Sequence, residues 1–411
     1  MKAPAKVPSD ASALEVSLLL RATLCLCWAT TVAAGVVRVV AAVGRSPGRP
    51  PAVDYHAFMV AGQLAWAGRL ADAYDGGKMM ALEQQATAHP WFMPWNYPPL
   101  FGVMMAPFSR MPIGLAFSLF VLATFALLLL AVGRLTARWG WLVLLTLTPA
   151  IFINLIVGQN GMLTGALFAF AAAALVHRRA GQGGLAIGAL AYKPHMAVIW
   201  PVLLAVRGRW ATLAIAGAVA MMLTGISFLA VGPAPFKALI ASGGEMSRNM
   251  AAGYYPLHRM TSIYAAAASL GLPAAVALAT HFVVLAAVLA SLVWAGRRLP
   301  EPVQAGLAIM STAFFSPYFY DYDLPLFGVG LALVLPELAA RMTRVRLGLL
   351  LGVVAAAQLT GLVVNALDIH PSLGGPLLLA AFGMMLGTLA QAPDERMSAP
   401  PVTRPAVAGA A

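Results

Sequence analysis

The residues of this chain that could do chemistry fall in five short clusters, and the first is Asp54-Tyr55-His56. A carboxylate there could act as a general base, taking the proton of a hydroxyl. Asp at the start of a helix also caps it by accepting from free backbone N–H groups, and the two roles are compatible. Next comes Trp91-Phe92-Met93-Pro94-Trp95-Asn96-Tyr97-Pro98-Pro99. Its aromatics suit either an interfacial belt or the apolar faces of ring-shaped polar ligands. Gly158-Gln159-Asn160-Gly161 reads as a polar turn, structural or ligand-binding. Tyr192-Lys193-Pro194-His195 puts a cation beside a helix breaker, and an ionisable residue at membrane depth is costly and usually functional. Freed backbone groups next to a cation suit an anion such as a lipid phosphate. The last cluster, Ser316-Pro317-Tyr318-Phe319-Tyr320-Asp321-Tyr322-Asp323, crowds two carboxylates and three tyrosines into one helix junction.

The elements that must position these groups are membrane helices. The chain has 411 residues, 61% of them hydrophobic and 10% charged, and its mean hydropathy is +0.83. Soluble domains carry about 25% charged residues, so the apolar excess cannot be hidden in one core. Apolar windows near 18–43, 113–133, 140–157, 161–177, 211–231, 273–296, 303–317, 324–340, 347–367 and 374–391 make about ten spans. The expected fold is therefore an all-α polytopic bundle.

Lys2 and Lys6 before the first span, with Arg pairs at 134/138, 178/179, 207/209 and 297/298 and Arg341, Arg344 and Arg346, place both termini in the cytoplasm. The segment 184–206 breaks the alternation, because basic residues flank both of its ends. Two half-helices meeting at Lys193-Pro194 restore it, since Pro disfavours helical geometry in the preceding residue and broken helices are tolerated where they line a cavity. Residues 1–17 read as a cytoplasmic N-terminus, 18–391 as a single transmembrane domain, and the Pro- and Ala-rich residues 392–411 as a disordered cytoplasmic tail. Segments 44–111 and 232–272 are the large external ones, and Tyr55 to Leu70 suits an amphipathic helix lying at the interface.

The net charge of +12 fits positively charged cytoplasmic loops better than nucleic acid, which is not an expected partner. Of 14 acidic residues, Asp54, Asp72, Asp75, Glu83, Glu245, Asp321, Asp323 and Asp368 fall on the external side, so acid and base groups gather there. Cys25 and Cys27 form neither a disulfide framework nor a metal motif. Phosphate-loop, dinucleotide, zinc-helix and nucleophile-elbow motifs are absent, and no cofactor is indicated. The carboxylate-rich outer face could hold a divalent cation through oxygen ligands, but no spacing specifies one.

Taken in order, these features resemble the membrane glycosyltransferases of family 87, within the C-type glycosyltransferase superfold. The stretches that carry the resemblance are Asp54-Tyr55-His56 with Tyr74-Asp75, Tyr97-Pro98-Pro99-Leu100-Phe101 and Gly158-Gln159-Asn160. Lys193-Pro194-His195 with Arg207-Gly208-Arg209-Trp210, and Ser316-Pro317-Tyr318 through Asp323-Leu324, complete the set. It runs from about residue 18 to 391, nearly the whole chain.

The resemblance implies transfer of a hexose, often mannose, from a polyprenyl-phosphate donor to a glycolipid or glycan acceptor of the envelope. Transfer would take place on the extracytoplasmic face, with inversion. It maps the family's base onto Asp54 and points to Lys193 for the leaving phosphate, with Arg259 or Arg248 as helpers. Tyr55, His56, Tyr97, Gln159, Asn160, His195, Tyr318, Asp321 and Asp323 would contact substrate. Some relatives carry His where this chain has Asp321-Tyr322-Asp323, which leaves the donor and any metal role open. The composition suggests a bacterial inner (cytoplasmic) membrane. A secondary transporter of a polar or lipid-linked solute, using the broken helix at Lys193, is the rival reading. The two halves of the chain show no internal repeat to support it.

Overall fold

The computed structural model describes Ala29 and residues 53–87, 92–136, 139–251, 254–296, 298–367 and 371–391. The expected first span at 18–43 apart from Ala29, the two cysteines, Trp91, Asp368 and the segment 392–411 lie outside the described residues. Every regular element described is helical, and one isolated antiparallel bridge joins Met260 to Tyr320.

Four described helices are long and apolar enough to cross a membrane: Ile113–Leu135, Trp210–Val231, Ala274–Ala295 and Arg344–Gly361. The pair Gly140–Thr146 and Thr148–Val157, bent by 61°, makes a fifth if it counts as one span. Leu115, Leu119, Leu122, Leu129 and Leu130 of the first helix are exposed. An apolar face of that extent belongs against lipid rather than water. The remaining expected spans are shorter helices: Gly161–Val176, Glu301–Ser311, Pro325–Arg341 and Gly374–Ala390.

The centre of the bundle is Gly161–Val176 and Pro325–Arg341, both largely buried, with Ile113–Leu135 against the former and Glu301–Ser311 against the latter. Small residues permit the close crossings. A Cβ built on Gly306 would sit 2.7 Å from the Gly330 carbonyl oxygen, so only glycine lets these two backbones approach so closely.

Proline breaks are repaired by side chains from neighbouring helices, because nothing in hydrocarbon would otherwise satisfy the freed backbone groups. Pro336 lies inside the helix Pro325–Arg341 and has no N–H for the Ala332 carbonyl four residues earlier. The Trp139 indole Nε1 donates to that carbonyl instead, at 3.0 Å. At the 61° bend, Pro149 follows Thr148, and Gln358 spans the break. Its Nε2 donates to the Thr146 carbonyl at 2.8 Å, and its Oε1 accepts from the Ala150 N–H at 3.2 Å.

The chain also breaks at Lys193-Pro194, where Pro194 disfavours helical geometry in the residue before it. Ala180–Gly188 runs into a 3-10 turn at Ala189–Tyr192, and helix resumes in Pro194–Ala197 and Ile199–Val206.

The helix Val53–Trp66 corrects two expectations. It is not two-faced: Tyr55, Ala57, Phe58, Met59, Val60, Ala61, Leu64 and Ala65 are all buried, under Gly76–Thr87, Pro99–Met105 and neighbouring turns. Asp54 lies in its first turn rather than ahead of it. Trp95 and Tyr97 pack on Phe58 and Phe101 inside this cap and are 3% and 8% exposed, so neither forms an interfacial belt or a stacking platform.

The same cap buries Glu83, whose Oε2 accepts from the Met93 N–H at 2.7 Å. Burial pushes its carboxyl up to about 8, with the Met93 hydrogen bond pulling the other way. The unfolded chain releases this proton near 4.5, whereas the folded protein keeps it to about 8. Stability therefore falls as pH rises through that window and levels off above it. Thermal unfolding at pH 5 and pH 8 should show this drop, and Glu83→Gln should flatten it.

Candidate active site

The turn that gathers the site is built from its own residues. Gly158 takes φ +71, a left-handed conformation that glycine reaches without steric cost. It ends the helix Thr148–Val157 by donating its N–H to the Asn154 carbonyl at 2.9 Å. Gly161 opens the next helix directly against the other half of the site, where a Cβ would lie 1.7 Å from the Tyr322 carbonyl oxygen. Asn154 fastens the same contact, donating from Nδ2 to Tyr322 O at 2.8 Å and accepting from the Met162 N–H at 3.3 Å. Gly161→Ala must displace 320–323. It should cost about 1–3 kcal/mol in thermal unfolding as an overpacked contact and impair activity by moving Asp321 and Asp323.

Three carboxylates and two cations meet there. Lys193 Nζ lies 2.5 Å from Asp323 Oδ1 and donates to Asn160 Oδ1 at 3.1 Å. This pair is sealed, with side-chain exposures of 4% and 2%. Arg259 holds Asp321 through two hydrogen bonds, Nη2 to Oδ1 at 3.0 Å and Nε to Oδ2 at 3.3 Å. Its Nη1 reaches to 3.8 Å from Asp54 Oδ2. Gln159 completes the link: Nε2 donates to Asp54 Oδ2 at 3.0 Å, while Oε1 accepts from Tyr97 OH at 3.4 Å and from the Asn160 N–H at 3.3 Å. Both cations lie over the Tyr322 ring, Lys193 Nζ 5.4 Å and the Arg259 guanidinium 5.5 Å from its centre, a favourable arrangement for each charge. Tyr320 stacks on Tyr322 at 5.1 Å.

Burial works against the Arg259 charge, but Asp321 and Asp54 outweigh it and raise its basicity, so the guanidinium stays charged. Burial likewise raises the Asp323 carboxyl, with Lys193 opposing. Exposure then distinguishes the acids. Asp321 and Asp323 are 0% and 2% exposed in their side chains, whereas Asp54 keeps 17% and Arg259 12%.

Among the residues singled out in the sequence, Asp54, Gln159, Asn160, Lys193, Arg259, Asp321 and Asp323 thus come together, with Tyr97 touching Gln159. Others do not join them. Tyr55 is fully buried against Phe58, Phe117 and Phe120. His56 faces a separate cavity of about 610 Å³ shared with Gln63, Arg69, Gln85 and Ser109. His195 is exposed on its short helix, Tyr318 packs edge-on to Tyr255, and Arg248 is exposed beside Glu245. Sequence reasoning missed Asn154. A lone Asn in an apolar helix was the available signal for Asn154.

The chain matches glycosyltransferase family 87 over residues 95–317, more than half its length. That stretch takes in Gln159, Asn160, Lys193 and Arg259 and leaves Asp54, Asp321 and Asp323 outside it. Neither the curated proteins nor the solved structures hold a match. With an all-helical apolar bundle and a buried acid–base cluster at one end, the chain belongs to glycosyltransferase family 87.

Proposed function

We propose that this membrane glycosyltransferase moves a hexose, with mannose the first candidate, from a polyprenyl-phosphate carrier to an envelope glycolipid or glycan, with inversion and with Asp54 as general base. The observation that carries the assignment is exposure. Of the three clustered carboxylates, Asp54 alone keeps contact with the surface, while its neighbours are consumed by Lys193 and Arg259.

In the reaction the acceptor oxygen attacks the anomeric carbon, the carbon–oxygen bond to the phosphate breaks, and the hydroxyl proton passes to Asp54. Two cations face three carboxylates, so the resting cluster carries one excess negative charge. Protonating Asp54 removes that excess as negative charge develops on the departing phosphate. Arg259, relieved of Asp54, then turns its field to the leaving group, a fixed charge in a site with little water. Lys193 is better suited to hold Asp323 and Asn160 in place than to meet the phosphate itself, because its amine is enclosed by both.

About ten spans with both termini in the cytoplasm would set this cluster at the extracytoplasmic face of a bacterial inner membrane. The test is the product. NMR of the glycoside formed from a synthetic polyprenyl-phosphate sugar should show an inverted anomeric centre. A retained centre would require two successive displacements or attack from the face that the phosphate leaves, and would contradict Asp54 as the base of a single inverting displacement.

A further inference from the structure

Nearly every polar group of the carboxylate cluster is already engaged. Lys193 meets Asp323 and Asn160, Arg259 grips Asp321 and faces Asp54, and Gln159 joins Asp54 to Tyr97. Asn160 Nδ2 lacks a partner but is enclosed. Two open groups are left, the hydroxyls of Tyr320 and Tyr322. Neither has a hydrogen-bond partner among the described residues, and neither is among the side-chain oxygens that the fold closes off from solvent. Unpartnered polar groups in a native site call for an explanation, and these two stay within reach of an incoming molecule.

Both phenols are fixed at the backbone and free at the tip. Tyr320 is extended and pairs with Met260, the residue after Arg259. Its half-buried ring packs against Tyr255 and Met260 and against Ile153 and Val157. The Tyr322 N–H donates to Asp321 Oδ1 at 2.8 Å, and its carbonyl accepts from Asn154 Nδ2 at 2.8 Å. The two rings stack 5.1 Å apart and 5° from parallel, which holds them as one unit. Of the two cations, Arg259 keeps the greater exposure, and it lies 5.5 Å from the Tyr322 ring centre. Burial holds both hydroxyls well above the ordinary phenol range; Arg259 opposes it at Tyr320, and Asp54 adds to it at both. The phenols are therefore neutral and keep their protons.

We propose that Tyr320 and Tyr322 donate hydrogen bonds to the non-bridging oxygens of the donor's phosphate, beside Arg259. The inference rests on the proposed lipid-phosphate donor and names the groups that meet its leaving end. Phosphate oxygens need donors, which the two hydroxyls and the guanidinium supply. Asp321 and Asp323, which could accept from a sugar's hydroxyls, are closed off by their cations. As the anomeric carbon–oxygen bond breaks, its electron pair goes to the phosphate and the acceptor's proton goes to Asp54. The phenols keep their own protons, and donors placed beforehand stabilise the growing charge without reorganising.

Tyr320→Phe and Tyr322→Phe remove the hydroxyls and keep the ring stack, and thermal unfolding checks that each variant folds. Transfer is measured with a synthetic polyprenyl-phosphate hexose that the wild type uses, mannose being tried first. The same donor is then offered as its two phosphorothioate diastereomers and with each sugar hydroxyl removed in turn. Each variant should lose about ten- to a hundredfold in kcat on the oxygen donor, the size of one hydrogen bond to a charged group. Sulfur should slow the wild type in at least one diastereomer. It should slow a variant less, because the hydrogen bond that sulfur weakens is already gone. Unchanged kcat in both variants overturns the proposal, as do losses that add in full to the sulfur effect. Losses that vanish with one deoxy donor assign the hydroxyls to the sugar and overturn the phosphate contact alone. A wild type that transfers from no lipid-linked donor rejects the proposed function, and this inference with it.

Discussion

Asp54→Asn should reduce sugar transfer by about 10²- to 10⁴-fold, the contribution of a positioned general base, while the protein folds and inserts as the wild type does. The substitution is nearly isosteric. The new amide keeps an oxygen that can accept from Gln159 Nε2, which now lies 3.0 Å from Asp54 Oδ2. Arg259 retains both of its hydrogen bonds to Asp321, so little of the architecture depends on the lost charge. The loss should appear in kcat, because the group acts on a proton in flight rather than on a bound ground state. Unchanged kcat in a well-folded variant would move the base elsewhere, and Asp321 or Asp323 would first have to be released from its cation.

Lys193→Met should destabilise the protein by about 3–5 kcal/mol, the cost of leaving one partner of a buried ion pair uncompensated. Asp323 is then enclosed without its counter-charge, and Asn160 loses the ammonium that it meets at 3.1 Å. Asp323→Leu should cost a comparable amount from the opposite side. The double variant Lys193→Met with Asp323→Leu should recover much of the loss, since replacing both charges by apolar groups is often close to neutral. Thermal unfolding of the three variants forms a double-mutant cycle that reads the coupling directly. Additive losses would show that the pair is not the joint that fastens the broken helix to the 321–323 turn.

What local chemistry dictates was readable from the sequence. Pro194 writes the break at Lys193 into the chain, and Gly158 and Gly161 write the turn around Gln159 and Asn160. The helix Ile113–Leu135 announces itself by an uninterrupted apolar run. What depended on distant partners was not readable. Asp323 stands 130 residues from the lysine that it meets, and no local pattern joins them, so the sequence shows the cation at Lys193 without its partner. Trp95 and Tyr97 have the composition of a membrane interface, but the packing of Phe58 and Phe101 onto them decides that they are core. The bend at Leu147 lies within a continuous apolar window because its repair group, Gln358, comes from another helix 212 residues from Thr146. Asp54 was nameable as an acid at a helix start. Its distinction from Asp321 and Asp323 rests on exposure, a property that only the folded chain has.

The most direct test of the central claim is sugar transfer by the purified protein in proteoliposomes, offered a panel of synthetic polyprenyl-phosphate sugars alongside nucleotide sugars. The account predicts that one lipid-linked donor is consumed with equal release of polyprenyl phosphate and glycosylated acceptor, and that nucleotide sugars are inert. Transfer from a nucleotide sugar without lipid carrier, or uptake of free sugar with no transfer from any donor, would contradict it.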